Sequence, residues 1–111
     1  MAVSDELGTL GRYSGPATLI LSSLAGGDKH GYALMQDIEG FAEVTLRPGT
    51  LYGALSRLVD MGLIESLEGD GRRRPYRLTP AGALALEAKL SAQQRVAEVG
   101  LRRLSAGLVT G

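Results

Sequence analysis

Apolar residues recur along this chain in two periods, and the places where the period changes divide it into elements. Leu19, Ile20 and Leu24 lie between Pro16 and the pair Gly26-Gly27, which predicts a first helix over 16–25. Tyr32, Met35 and Ile38 recur at i, i+3 and i+6, predicting a second helix over 29–41 with Asp28 as its cap. Ala42 to Leu46 reads as a short link that could add a small third strand to a later hairpin. Leu51, Leu55, Leu58 and Val59 then fall at i, i+4, i+7 and i+8, one stripe of a third helix. Pro48 suits its first turn, where a missing N–H is no loss, and Gly62 is a natural stop.

The polar side of that third helix carries Thr50, Gly53, Ser56, Arg57 and Asp60, with Tyr52 on its flank. These are small or hydrogen-bonding groups that can approach a base edge or a phosphate without steric penalty. Next, two strand-like runs, 63–67 and 74–79, flank a Gly/Asp-rich tip and predict a β-hairpin. Pro75 cannot donate to a ladder, so its strand belongs at an edge. Arg72, Arg73, Arg74 and Arg77 crowd this hairpin. An arginine cluster by itself more often marks a solvated edge that resists aggregation. Beside a helix with a small polar face, phosphate contact becomes the stronger reading. A helix and a basic hairpin in this order predict an α+β, mainly α, winged helix-turn-helix, with DNA as the first partner to consider.

Thr79-Pro80 starts the last element, a cap followed by proline at the first helical position. From there to about Leu104 no proline interrupts, and Leu86, Leu90, Ala97, Leu101, Leu104 and Leu108 share one stripe, broken by Gln93. A helix of about 25 residues spans ~38 Å, more than so small a domain can cover. The surplus stripe needs a partner, and a second copy of the chain is the simplest one. Leu86, Leu90, Leu101 and Leu104 are the expected dimerisation residues. The expected division is an amino-terminal arm (1–14), a winged helix-turn-helix domain (15–79), and a dimerisation helix with its tail (80–111).

Composition narrows the function class. The chain has 111 residues, 44% hydrophobic and 22% charged, which fits one ordinary globular domain. Twelve basic residues balance twelve acidic ones, unusual for a DNA binder judged on charge alone. Between Arg47 and Arg77 six arginines face Asp60, Glu65, Glu68 and Asp70, so any positive surface must come from which face each charge occupies. The absence of cysteine excludes disulfides and thiolate metal sites, and a single histidine leaves no basis for a metal set or a catalytic triad. No pair of carboxylates, nucleophile–base set or phosphate-binding glycine loop stands at workable spacing, so no catalytic residue, metal or cofactor is expected. No run approaches the length of a membrane span, and Asp5 and Glu6 stand where a signal peptide carries basic residues, which predicts a cytoplasmic protein.

Three segments, HGYALMQDIE at 30–39, RPGTLYGALSRLVDMGLIE at 47–65 and GRRRPYRLTPAG at 71–82, resemble the PadR-type transcriptional regulators of bacteria and archaea. The resemblance runs from about Pro16 to Leu90. It implies a homodimeric DNA-binding repressor with a winged-helix domain and one C-terminal dimerisation helix, the short subtype of that family. It also implies that the Tyr52 hydroxyl meets a phosphate, against an equally open reading of Tyr52 as a core aromatic, that His30 is structural, and that a small-molecule effector is possible. No aromatic residue follows Tyr76, so the last helix alone is not expected to build a flat stacking pocket. The expected DNA contacts are Thr50, Tyr52, Ser56 and Arg57 on the helix and Arg72, Arg73 and Arg74 on the wing. The rival from another class is a winged-helix module that binds protein instead of DNA, which zero net charge would favour.

Overall fold

The computed structural model describes residues 7–69 and 73–110, without the side chains of residues 109 and 110. A 3-10 turn at Leu7–Tyr13 leads into helices α1 (Ser14–Leu24), α2 (Gly31–Ala42) and α3 (Pro48–Asp60). Strands β1 (Ile64–Ser66) and β2 (Tyr76–Leu78) follow, then the long helix α4 (Pro80–Thr110). The apolar stripes predict most of what is buried, but in α2 Tyr32 is 61% exposed and Leu34 fills the core in its place. Ile20, Leu21 and Leu24 of α1, Leu34 and Ile38 of α2, and Leu51, Leu55 and Leu58 of α3 form one core with Leu63, Ile64 and Leu86. Val59, expected in the α3 stripe, is 37% exposed, and Ala54 takes the buried position. The ridge at 51, 54, 55 and 58 is what faces α1, so Val59 lies just past its edge.

The sheet is a two-stranded antiparallel hairpin with Ile64 opposite Leu78, Glu65 opposite Arg77 and Ser66 opposite Tyr76. The segment after α2 does not extend it. Glu43 takes a left-handed conformation (φ 56°) and turns the chain toward α3, burying Leu46 on the way. The place beside β2 belongs to Lys29. Its N–H donates to the Tyr76 carbonyl at 3.2 Å and its carbonyl accepts from the Tyr76 N–H at 2.9 Å. Because Lys29 is held extended by this bridge, α2 starts later than the spacing predicts. His30 caps it, its Nδ1 accepting from the Ala33 N–H at 3.3 Å. Asp28, the expected cap, faces the hairpin instead and takes Arg77 as its partner.

Thr79 ties the wing to both neighbouring helices. Its Oγ1 accepts from the Gly82 N–H at 3.0 Å, capping α4, while its hydroxyl donates to the Gly62 carbonyl at 2.7 Å. Gly62 itself closes α3 at φ 75°, where a side chain would be strained, and lets the Leu63 N–H reach the Leu58 carbonyl at 3.0 Å. Helix α4 is 31 residues long and rises ~46 Å, passing the expected end at Leu104. Leu86 in its second turn is buried in the core at 6% exposure. Beyond Ala92 every described side chain except Val99 is exposed. The amino-terminal segment, which reads in the sequence as a mobile arm or a short helix, forms a 3-10 turn over Leu7–Tyr13 that Leu7, 1% exposed, ties to the core.

Candidate nucleic-acid interface

Helix α3 buries one face and presents the other. Leu51, Ala54, Leu55 and Leu58 anchor it, which turns Tyr52, Ser56, Arg57 and Asp60 outward and leaves Thr50 and Gly53 half-exposed. Arg57 is held in place twice. Its Nη1 donates to the Gly53 carbonyl one turn back, at 3.0 Å, and its guanidinium stacks over the Tyr13 ring at 4.1 Å from the centroid. The ring lies so close to α3 that a Cβ on Gly53 would come within 3.0 Å of Tyr13 Cε1. Arg12, on the same turn, places its own guanidinium 5.1 Å from that ring. Arg12, Tyr13, Arg47, Gly49 and Thr50 line a recess of about 450 Å³ at the start of α3. Sequence reasoning did not assign Arg12 or Tyr13. The Arg-Tyr pair just ahead of Pro16 was the available signal, but only packing brings it to α3.

Tyr52 sits at the joint between α2 and α3. Its hydroxyl presses on Gly31 at the start of α2, where any Cβ would collide with the ring, and the residue is still 42% exposed. Burial pushes the Tyr76 hydroxyl above the usual tyrosine range; nearby Tyr52 adds to that and Arg74 opposes it. Thus Tyr52 packs against the start of α2 while keeping part of its surface exposed.

The wing separates its arginines into two sets. Arg77 turns back to the domain, with Nη2 donating to Asp28 Oδ2 at 2.9 Å and Nη1 lying 3.7 Å from Glu65 Oε1 across the strand pair. The Asp28 hydrogen bond and charge hold the Arg77 guanidinium protonated above the ordinary arginine range, aided by Glu65. Arg73 and Arg74 are exposed near the tip and pair with no acid among the described residues. Arg72 lies outside the described residues. The Leu67 N–H donates to the Pro75 carbonyl at 2.8 Å, closing the hairpin below them. Among the described residues, Arg47, Arg57, Arg73 and Arg74 therefore have no acidic ion-pair partner, although the whole chain is neutral.

The four leucines expected at a dimer seam do not share one environment. Leu90, Leu101 and Leu104 are exposed by 40%, 66% and 65%. Leu86 is corrected from that set: α4 packs on α1 at this level, so its side chain fills this chain's own core. An open recess of about 780 Å³ lies beside it, lined mainly by apolar groups that include Ala25, Leu78, Leu84 and Leu90. Among the described residues no helix is long and apolar enough to cross a membrane.

Comparison with known proteins places the fold in a family. The Transcriptional regulator PadR-like family matches residues 20–88, from α1 into α4. An uncharacterized transposon protein of Streptomyces fradiae is 46% identical over 78 residues, which are 70% of this chain and 23% of that protein. A transcriptional regulator of Mycobacterium tuberculosis is 44% identical over 70 residues, covering 60% of this chain and 64% of the relative. This chain thus spans less than two thirds of either. The structure of a PadR family transcription regulator from Clostridium difficile superposes with a TM-score of 0.71 at 32% identity, covering 79% of this chain and 96% of that one. With its winged-helix fold and a match over most of its length, this chain belongs to the PadR-like family of transcriptional regulators.

Proposed function

We propose that this chain is a homodimeric repressor that binds a specific operator and releases it in response to a small apolar effector. The observation that carries the dimer is α4. Leu101, Leu104 and Leu108 are 66%, 65% and 82% exposed along a helix that has left its own domain behind. An apolar stripe of that length in water favours a second copy, and an α4–α4 seam would be isologous. Such a dimer sets two α3 helices side by side, suited to successive major grooves ~34 Å apart. Thr50, Tyr52, Ser56 and Arg57 face the bases or the backbone there, while Arg73 and Arg74, joined by Arg72, hold phosphates. Phosphate contacts fix the register; Ser56 and Arg57 read sequence.

A partner helix lying over Leu90 would also roof the recess between α4 and the wing. Roofed, a space of about 780 Å³ falls in the range of small-ligand sites. Its walls are aliphatic rather than aromatic, which suits a flexible apolar effector better than a flat stacked one. The domain division follows the same reading: 15–79 contacts DNA, and 80–111 joins the two copies.

Sedimentation of the full chain, followed by electrophoretic shifts on the DNA upstream of its gene at two salt concentrations, tests the reading. The expected result is a dimer that shifts that DNA ahead of random competitor. A winged helix that binds protein instead would show no preference and no steep salt dependence.

A further inference from the structure

We propose that Tyr13, in the turn ahead of α1, is a positioning residue that sets the direction from which Arg57 reads DNA. The inference rests on the DNA-reading role proposed above for Arg57 and extends it to a residue outside the helix-turn-helix. An exposed arginine on a recognition helix ordinarily samples many rotamers, and ordering it on binding lowers affinity. Here the guanidinium is already confined. Tyr13 covers one face at 4.1 Å and the Gly53 carbonyl takes Nη1 at 3.0 Å. Stacking on a ring engages the plane of the guanidinium and leaves its in-plane N–H edge available for a bidentate contact. A carboxylate in the same place would have occupied that edge, and among the described residues Arg57 has no acidic partner.

The support for the ring is equally specific. Leu7 anchors the start of the turn in the core, and Tyr13 itself packs against that core while half-exposed. Gly53 lets the ring lie directly on the α3 backbone, because a Cβ there would crowd both Cε1 and Oη, at 3.0 and 3.1 Å. Gly53 and Arg57 are one helical turn apart, so the glycine that admits the ring also supplies the carbonyl that holds the arginine. The amino-terminal turn thereby becomes part of the reading surface without touching DNA through its own ring.

Full-length variants test this on two duplexes, one enriched by the wild-type chain from a randomised pool and one scrambled. Arg57→Ala should cut the ratio of the two affinities roughly 5- to 150-fold, the range of one bidentate base contact. Tyr13→Leu should cut it about two- to fivefold, Tyr13→Phe should leave it intact, and Tyr13→Leu added to Arg57→Ala should cause no further loss. In the free protein the Arg57 δ-methylene protons should show an upfield ring-current shift that Tyr13→Phe retains and Tyr13→Leu abolishes. If Tyr13→Leu does not fold, pentafluorophenylalanine at position 13 keeps the shape and reverses the ring quadrupole, and it should lower the ratio as well. A Tyr13 effect of equal size with and without Arg57, or none at all, overturns the positioning role. A wild-type chain that enriches no duplex, while its ring-current shift is present, overturns the DNA reading of Arg57 and this role with it.

Discussion

The carbonyl oxygen of Leu63 occupies the space that a Cβ on Gly82 would need, so α4 begins in contact with the backbone that leads into β1. The same hypothetical Cβ would come within 2.8 Å of Leu78 Cδ1. Gly82→Ala should therefore push α4 off the wing and destabilise the fold by about 1–3 kcal/mol, as overpacking does. Urea denaturation measures it. An unchanged midpoint would mean that α4 can slide without loss, and that its seat on β1 does not fix the direction of the long helix.

The wing predicts a contrast between neighbouring arginines. Arg73→Ala with Arg74→Ala should weaken binding to specific and random duplexes alike, and flatten the salt dependence by about one unit per lost phosphate contact. Arg77→Ala should leave the slope as it was, because Asp28 and Glu65 already engage that guanidinium. Equal slopes for all three proteins would return Arg73 and Arg74 to the role of solvated surface charges.

Leu101→Asp with Leu104→Asp places two carboxylates on the exposed stripe of α4. If that stripe is the seam between copies, each unpaired charge there costs several kcal/mol and the product is a monomer. Its winged-helix core should still melt cooperatively, since both side chains are 65% exposed or more in the single chain. DNA affinity should fall steeply, because one half-site cannot supply the contacts of two. A sedimentation profile unchanged from wild type would exclude α4 as the interface. Leu86→Ala should behave differently: the side chain is core, so the loss is in folding stability, ~2–5 kcal/mol.

Alkaline pH should weaken the fold through Tyr76. Burial raises the pKa of its hydroxyl in the folded chain, so the unfolded chain ionises first. The stability linked to this group is whole below the ordinary tyrosine range near ~10 and drains away as pH rises through and above it. Tyr76→Phe should remove that part of the loss, which urea midpoints at about pH 9 and about pH 11 would reveal. The same decline in both proteins would assign it to other groups.

What the sequence determined by itself was most of what local spacing carries, the cap at Asp28 and the stripe edge at Val59 excepted. The stripe 51, 55, 58 defined α3 and its outward face, Gly62 stopped it, Thr79-Pro80 opened α4, and the order helix, hairpin, long helix named the fold. Periodicity and capping depend on residues within one or two turns, so a linear pattern contains them. Only tertiary structure decided which side chains meet across elements. Lys29 rather than residues 42–46 bridges β2, Asp28 meets Arg77 from 49 residues away, and Tyr13 reaches Arg57. The same holds for Leu86 and Leu101, which lie on one stripe of one helix. Their periodicity is identical, but α1 covers the first and nothing among the described residues covers the second. Burial is a property of what packs opposite, and a helix pattern records only which residues share a face.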